Sequence, residues 1–313
     1  MAKVTNAFDT YSAQADREAL SNVIYNISPQ QTPFMSSIGK NNVKNVVFDW
    51  QTESLPTASG AGQLEGFELS RSAATATTRV SNVCQISSRD ATVSGSQESS
   101  DPAGKKSEMA HQLSIMSKAL KRDMEVALCQ NGSKTTGNAS TARVTGGFES
   151  WMESNVSRGT GGASNAAGAA PTDASNANKR ALTETLLKSV LQSCFSNGGE
   201  PSIAICGPVN KQVISGFTGR SQARQFVDVN TVEASVSIYS SDFGDLKIVP
   251  SNLSRERSLL LVDPEYAKVS FLRDFNVQDI AKIGDAETKM IVAEYGLEMS
   301  NEAAHGVVAD LTG

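Results

Sequence analysis

Residues 54–79 read SLPTASGAGQLEGFELSRSAATATTR, and they connect two short runs, VVFDW (46–50) and VSNVCQIS (80–87), that are typical of β-strands. A hairpin between such strands normally needs two to five linking residues, whereas this link is 26 residues long. Its large apolar residues are too few for a core of their own: Leu55, Leu64, Phe67 and Leu69. Ordering the segment alone would cost on the order of 25–50 kcal/mol of backbone entropy. The sequence therefore predicts an arm that is ordered by contacts outside itself.

The length and composition predict a globular protein of more than one lobe. At 313 residues the chain is near the size at which a single hydrophobic core stops growing. The apolar fraction of 39% is enough for a lean core. Apolar periodic segments recur along the whole length, which is not a pattern of disorder.

The charge distribution argues against a nucleic-acid-binding protein. The formal net charge is −5, and DNA binders carry patches of Lys and Arg that displace counterions. The densest basic cluster, KALKR (118–122), is followed at once by Asp123 and Glu125. We interpret it as the solvated face of a helix, not as a phosphate site.

Four widely spaced cysteines, at positions 84, 129, 194 and 206, form no C-x-x-C pair. A zinc site or a redox dithiol is therefore not expected, and the thiols are predicted to be reduced and mostly buried. The amino-terminal stretch has no apolar signal region, and no run approaches eighteen apolar residues. We expect neither export by a signal peptide nor a membrane span.

Periodicity predicts a mixture of helices and antiparallel strands, an α+β fold. The longest apolar stripe at helical spacing runs through 103–132, which corresponds to a rod of roughly 40 Å. The other predicted helices are 16–27, 180–199 and 209–217. The predicted strands are 46–50, 79–94, 201–208 and 258–264, a hairpin within 232–253, and several antiparallel strands after residue 265 that need the long helix as a packing surface.

Two segments, 133–148 and 157–179, are rich in Gly, Ala, Ser and Asn. Composition alone makes them flexible linkers. If they are ordered, we expect something outside the monomer to hold them.

No motif argues for catalysis or for a bound cofactor or metal. Asp242-Phe243-Gly244 spells the DFG of protein kinases, but the other kinase motifs are missing and a hairpin turn explains these residues. The two histidines, His111 and His305, have no zinc-site spacing, and no G-x-S-x-G elbow occurs, although a triad assembled in space stays open. Trp50 and Trp151 could be sugar or peptide platforms, but core or interface anchors are the favoured interpretation.

Three stretches carry a resemblance to a known family: REALSNVIYNISPQQTPFMSSIGK (17–40), SNGGEPSIAICGPVNKQVISGFTG (196–219) and YSSDFGDLKIVPSNLSRERSLLLVDPEYAKVSFLRDF (239–275). The chain resembles the major capsid proteins of tailed bacteriophages. That resemblance implies the Hong Kong 97-type capsid fold. It divides the chain into five parts: an N-terminal arm (1–45), an extended loop (46–94), a peripheral domain with a spine helix (95–139), an axial domain (140–264) and the return strands of the peripheral domain (265–313).

The resemblance also implies a function and partners. Copies of the chain would form pentamers and hexamers of an icosahedral head shell around double-stranded DNA, within the virion and assembled in the cytoplasm of a host bacterium. The chain opens directly with the arm, so we expect a separate scaffolding protein. A portal and a cement protein are further expected partners. Contact with the packaged DNA should be weak and non-specific, in keeping with the negative charge.

The extended loop is the expected contact between subunits. Its candidate contact residues are Leu64, Glu65, Phe67, Glu68, Leu69 and Arg71. Some heads of this family are locked by an isopeptide bond from a lysine of the loop, but residues 51–88 contain no lysine. We therefore predict no such crosslink here.

Two other classes of protein stay open at this point. One is another virion structural protein, such as a decoration or fibre subunit, which would form small oligomers. The other is an enzyme with an unrecognised site, against which the unanchored arm and the lack of motif histidines argue.

Overall fold

The computed structural model describes residues 32–53, 58, 60–68, 76–100, 107–165, 167–217 and 237–313. The helix predicted at 16–27 and most of the predicted N-terminal arm lie outside these residues. The helices are α1 (Pro33–Ser37), α2 (Gly95–Ser99), α3 (Glu108–Cys129), α4 (Glu184–Ser196) and α5 (Pro208–Ser215). The strands are β1 (Gly39–Asn42), β2 (Val47–Thr52), β3 (Thr78–Val83), β4 (Gln85–Ser94), β5 (Val156–Ser157), β6 (Ile203–Cys206), β7 (Ile238–Ser241), β8 (Gly244–Pro250), β9 (Leu259–Val262), β10 (Ala267–Ile280), β11 (Ala286–Met299) and β12 (Gly306–Val308).

The long helix α3 lies across a four-stranded sheet, as the apolar stripe predicts. The hydroxyl of Ser107 caps the helix by accepting a hydrogen bond from the Ala110 N–H at 3.2 Å. The 22 residues of α3 make a rod of about 33 Å, shorter than the predicted 103–132. Its buried residues Leu120, Met124 and Leu128 belong to the largest core, together with residues of β10 and β11.

The sheet beneath α3 has the strand order β1-β10-β11-β4. Strands β10 and β11 form a long antiparallel hairpin, β4 pairs antiparallel with β11, and β1 runs parallel to β10. The strand predicted over 79–94 proves to be two strands, divided at the buried Cys84. The division arises because β3 pairs with β2, whereas β4 pairs with β11.

A second sheet has the order β5-β12-β9-β6-β8-β7. Alternate residues of β9 point to opposite faces: Leu259 and Leu261 pack in the core beneath α4, and Leu260 and Val262 pack in the core that includes α3. The Asp242-Phe243 dipeptide is the turn of the β7–β8 hairpin, which confirms the turn interpretation. Strand β12 pairs with β9 and β5, so the last short strand lies in this sheet and not beside the long hairpin.

The two loops with linker-like composition are held from within the chain, which corrects the expectation of an outside partner for their described residues. In the first loop, Thr135 pairs with Val144, and the Asn138 carboxamide oxygen accepts hydrogen bonds from the N–H groups of Ser140 and Thr141, both at 2.9 Å. In the second, the buried Asp310 carboxylate accepts from Gly159 N–H at 3.1 Å and from Ala174 N–H at 2.8 Å. Composition measures local chain entropy and does not report these long-range hydrogen bonds.

Candidate functional site

The arm is a hairpin that forms a sheet of its own. Strands β2 and β3 pair antiparallel from Val47↔Val83 to Thr52↔Thr78, and the described residues place no third strand beside them. An ion pair between Arg79 and Asp49 links the two strands on the exposed side. A separate two-stranded hairpin is marginal on its own in water, so the packing of its root against the body matters for its stability.

The far end of the arm presents apolar and acidic side chains to solvent. Gly66 adopts φ +79°, and the Phe67 N–H donates to the Leu64 carbonyl at 3.1 Å, which closes a tight turn. Leu64 is 84% exposed and Phe67 is 51% exposed. Glu65 and Glu68 flank them and are exposed as well. An ordered turn that exposes two large apolar side chains is a candidate for burial against another surface.

The six contact residues predicted from the sequence are only partly described. Leu64, Glu65, Phe67 and Glu68 lie together at the end of the arm, which we name the arm tip (60–68). Leu69 and Arg71 lie outside the described residues. Their common role in contacts between subunits stays a prediction.

Aromatic side chains fix the root of the arm to the body. The Phe48 ring packs against Gly296 of β11, where an added Cβ would lie 2.6 Å from the ring. Trp50 contacts Trp151 with ring centroids 5.4 Å apart, and Trp151 is buried. The favoured interpretation of the tryptophans as core or interface anchors is confirmed for this pair.

A polar junction lies beside these rings, and sequence reasoning missed it. Asn82 of β3 is fully buried and hydrogen-bonds to Thr145 and to Leu297, from two other parts of the chain. The sequence did contain a signal for it. Apolar residues recur at alternate positions from residue 80 to residue 86, and Asn82 takes one of these apolar positions, between Val80 and Cys84. A polar residue at an apolar position indicates a buried hydrogen-bond partner.

A buried ionic network joins the turn that carries Trp151 to the segment before β9. The Glu149 carboxylate accepts hydrogen bonds from Arg255 at 3.0 Å, from Arg158 at 3.4 Å and from the Ser258 hydroxyl at 2.5 Å. Asp173 pairs with the same two arginines. The network ties the second glycine-rich loop to the six-stranded sheet. Sequence reasoning did not identify it, because Glu149 and Arg255 are more than 100 residues apart in the chain.

The two histidines occupy different environments. His111 is half-buried on α3. His305 is fully buried, its Nδ1 accepts from the Asp263 N–H at 3.1 Å, and its ring packs edge-on against Phe148. Across the described ranges no group of three or more His, Cys, Asp and Glu side chains could hold a metal ion.

The burial of His305 is expected to make the stability of the protein depend on pH. Burial lowers the pKa of its imidazole from 6.5 to about 4, against a smaller opposite effect of a backbone hydrogen bond with Tyr266. In the unfolded chain the ring takes up a proton near pH 6.5, so the free energy of unfolding should fall as the pH falls from 6.5 towards 4. At about 1.4 kcal/mol per pH unit, roughly 2 kcal/mol should be lost by pH 5.

Guanidinium unfolding at pH 7 and pH 5 measures this effect. His305→Asn should flatten the pH dependence, because the Asn oxygen can still accept from Asp263 but does not titrate. His111→Asn, which removes the other histidine, is the control. Burial also raises the pKa of the Asp263 carboxyl. Protonation of this carboxyl in the folded state increases the free energy of unfolding as the pH falls, which is opposite to the effect of His305. The comparison is therefore made at or above pH 5. Equal pH slopes in the two variants would contradict the assignment to His305.

The four cysteines are free and buried, as predicted. Burial raises the pKa of the Cys84 and Cys206 thiols to about 11 and that of Cys194 to about 12. The pKa of Cys129 is also raised by burial. These thiols stay protonated at neutral pH and are poor nucleophiles.

Outside the arm tip, exposed apolar side chains cluster at the end of the β10–β11 hairpin: Val277, Ile280 and Ile283.

In the part of the chain that the structure describes, no helix combines the length and the apolar character needed to cross a bilayer.

The comparisons with known proteins agree with one another. Residues 3–312 match the SU10 major capsid protein family. Over 129 residues the chain is 31% identical to the major capsid protein of Escherichia phage Phieco32, a match that covers 41% of this chain and 37% of that protein. The chain thus spans little more than a third of the length of that curated relative.

Solved structures share the fold. The capsid asymmetric unit of cyanophage A-1(L) superposes with a TM-score of 0.71 at 11% identity, over 95% of this chain and 97% of that one. A chain of Mycobacterium phage Adephagia gives a TM-score of 0.64 at 11% identity, over 98% and 99% of the two chains. The capsid of a native GTA particle gives 0.63 at 11% identity, over 98% and 100%. At identities this low, the superpositions establish the fold alone. They confirm the predicted α+β fold of the Hong Kong 97 type.

Proposed function

We propose that this chain, which belongs to the SU10 major capsid protein family, assembles with copies of itself into pentamers and hexamers that close the icosahedral head shell of a tailed bacteriophage. The shell would enclose the double-stranded DNA genome. As a capsid protein, the chain is a structural component of the virion. Its arrangement in pentamers, hexamers and a closed shell is the part that we propose.

The proposal rests on the arm, which is packed against the body at its root and exposes apolar side chains at its tip. The root is packed and hydrogen-bonded to the body, whereas Leu64 and Phe67 are largely exposed. A surface on a neighbouring copy would bury them, and each subunit would offer the same surface in turn. Such a head-to-tail contact closes into rings when the rotation between subunits allows it. We propose that Leu69 and Arg71 join Leu64, Glu65, Phe67 and Glu68 in this contact.

The five-part division of the chain predicted from the resemblance remains our proposal, with two adjustments suggested by the strand pairing. We assign β4 to the peripheral domain, because it pairs with β11 under α3. We assign β12 to the axial domain, because it pairs with β9.

Assembly is proposed to take place in the cytoplasm of the host bacterium with a separate scaffolding protein, and to include a portal and a cement protein. The net charge of −5 supports weak, non-specific contact with the packaged DNA. A wall that bound DNA strongly would hinder packaging.

Negative-stain electron microscopy beside light scattering tests the proposed function, on the purified protein with and without its scaffold. Rings of five and six subunits or closed shells are expected. A monodisperse monomer under every condition would contradict the proposal.

The shell is expected to lack a covalent crosslink that starts from the extended loop, because residues 51–88 contain no lysine. When heads are boiled in detergent and reductant, this chain should run on a denaturing gel as one band near 33.1 kDa, apart from the bands of any other head proteins. A ladder of covalent oligomers would show that this prediction is wrong.

A further inference from the structure

The side chain of Asn82 joins three separate parts of the chain at the root of the arm. Its Nδ2 donates to the Leu297 carbonyl of β11 at 2.6 Å and to the Thr145 hydroxyl at 3.0 Å. Its Oδ1 accepts from the Gly146 N–H at 3.1 Å and from the Val83 N–H at 2.8 Å. One side chain therefore connects the arm strand, the first glycine-rich loop and the sheet under α3.

Thr145 completes the junction. It is 1% exposed, and its hydroxyl oxygen also accepts from the Leu297 N–H at 3.2 Å. Its own N–H donates to the Gln85 side chain at 3.3 Å. Asn is unfavourable in a strand interior, and an apolar side chain would suffice if packing were its only role. We name this junction the root clasp (Asn82, Thr145, Gly146 and Leu297). Hydrogen bonds in a buried site are directional and costly to break. The root clasp therefore constrains the angle between the arm and the body as well as the distance between them.

Two further contacts fix the arm on either side of the root clasp. The Lys134 ammonium donates to the Ser81 carbonyl at 2.9 Å and lies over the Trp151 ring, 5.4 Å from its centroid. Phe48, which pairs with Asn82 across the hairpin, fills the space above Gly296. Attachments on both strands oppose rotation of the hairpin about its own axis.

We infer that the root clasp sets the direction in which the arm leaves the body before any partner binds, and that Asn82 and Thr145 are positioning residues for assembly. The role in assembly rests on the proposed function, whereas the direction of the arm is a property of the single chain. An arm whose direction is fixed in advance loses less entropy when its tip is buried, so it binds more tightly than a freely moving arm with the same tip.

The distance between the arm and the body in the unassembled full chain tests the inference. Spin labels on Glu53→Cys, an exposed position directly after β2, and on Ser114→Cys of α3 report this distance by double electron–electron resonance. The native cysteines are buried and protonated, and mass spectrometry verifies that only the new thiols are labelled. The unmodified root clasp should give one narrow distance distribution. Thr145→Val, which keeps the shape but removes the hydroxyl, should at least double its width, and Thr145→Ser should leave it narrow.

Three further variants and a second label pair keep the test decisive. If Thr145→Val does not fold, Lys134→Met removes the contact with Ser81 at a half-buried position and should also broaden the distribution. Asn82→Asp should broaden it as well, whereas Asn276→Asp, the same change at an exposed position of β10, should not. A label pair within the body, Ser114→Cys with Ser196→Cys, should keep its width in every variant.

Equal widths for Thr145→Val and Thr145→Ser would overturn the inference. So would equal broadening of the body pair, because it would mean that the whole protein loosened. Failure of the wild-type chain to form shells would instead contradict the proposed function and leave the distance measurement intact.

Discussion

Replacing Glu149 with alanine is expected to destabilise the protein by about 3–5 kcal/mol, the range found when one partner of a buried ion pair is removed. The carboxylate is 0% exposed and accepts from Arg158, Arg255 and Ser258. The Arg158 side chain is itself only 5% exposed. Without Glu149, two buried guanidinium groups would share the single carboxylate of Asp173, so at least one positive charge would be left without an adequate partner.

Guanidinium unfolding followed by tryptophan fluorescence measures this loss, since Trp151 lies two residues from the substitution and is buried. Glu153→Ala is the matched control: the same substitution at an exposed position after the same turn, expected to stay within about 0.5 kcal/mol of the wild type. Similar unfolding free energies for the two variants would show that the network contributes little to stability.

Replacing Leu64, Phe67 and Leu69 together with serine is expected to leave a folded subunit that does not assemble. The described tip residues are exposed in the single chain, so their loss removes no core packing. Burying a large apolar side chain contributes about 1.5–3 kcal/mol, and each 1.4 kcal/mol changes an equilibrium constant about tenfold. Three such losses at every contact around a ring should reduce shell yield to below detection at concentrations where the wild type assembles.

Sedimentation and electron microscopy give the shell yield, and circular dichroism with thermal unfolding verifies that the subunit is folded. Gln63→Ser, an exposed polar change in the same tip, should assemble as the wild type does. Normal yields of shells from the triple variant would refute the contact role of the tip. An unfolded triple variant would show that these side chains belong to the core.

The sequence by itself determined the local elements and the presence of the arm. The helices α4 and α5, the strand β9 and the β7–β8 hairpin lie where periodicity and turn residues predict them, because these signals depend on neighbours a few positions apart. The excess length between the strands at 46–50 and 80–87 likewise predicted an arm, and β2 and β3 form a two-stranded sheet of their own. The resemblance of three stretches to capsid proteins supplied the fold, and the structural comparisons confirm it.

Only the tertiary structure decided how these elements are joined. Pairing with different partners divides the predicted strand at Cys84 and places β12 in the second sheet. The glycine-rich loops are ordered by Asp310 and by the bridge between Thr135 and Val144, and the root of the arm depends on Asn82. Asn82 finds its partners 63 and 215 residues away in the chain. Periodicity and composition describe a residue and its neighbours, whereas a buried polar side chain is satisfied by whichever distant segment the fold brings to it.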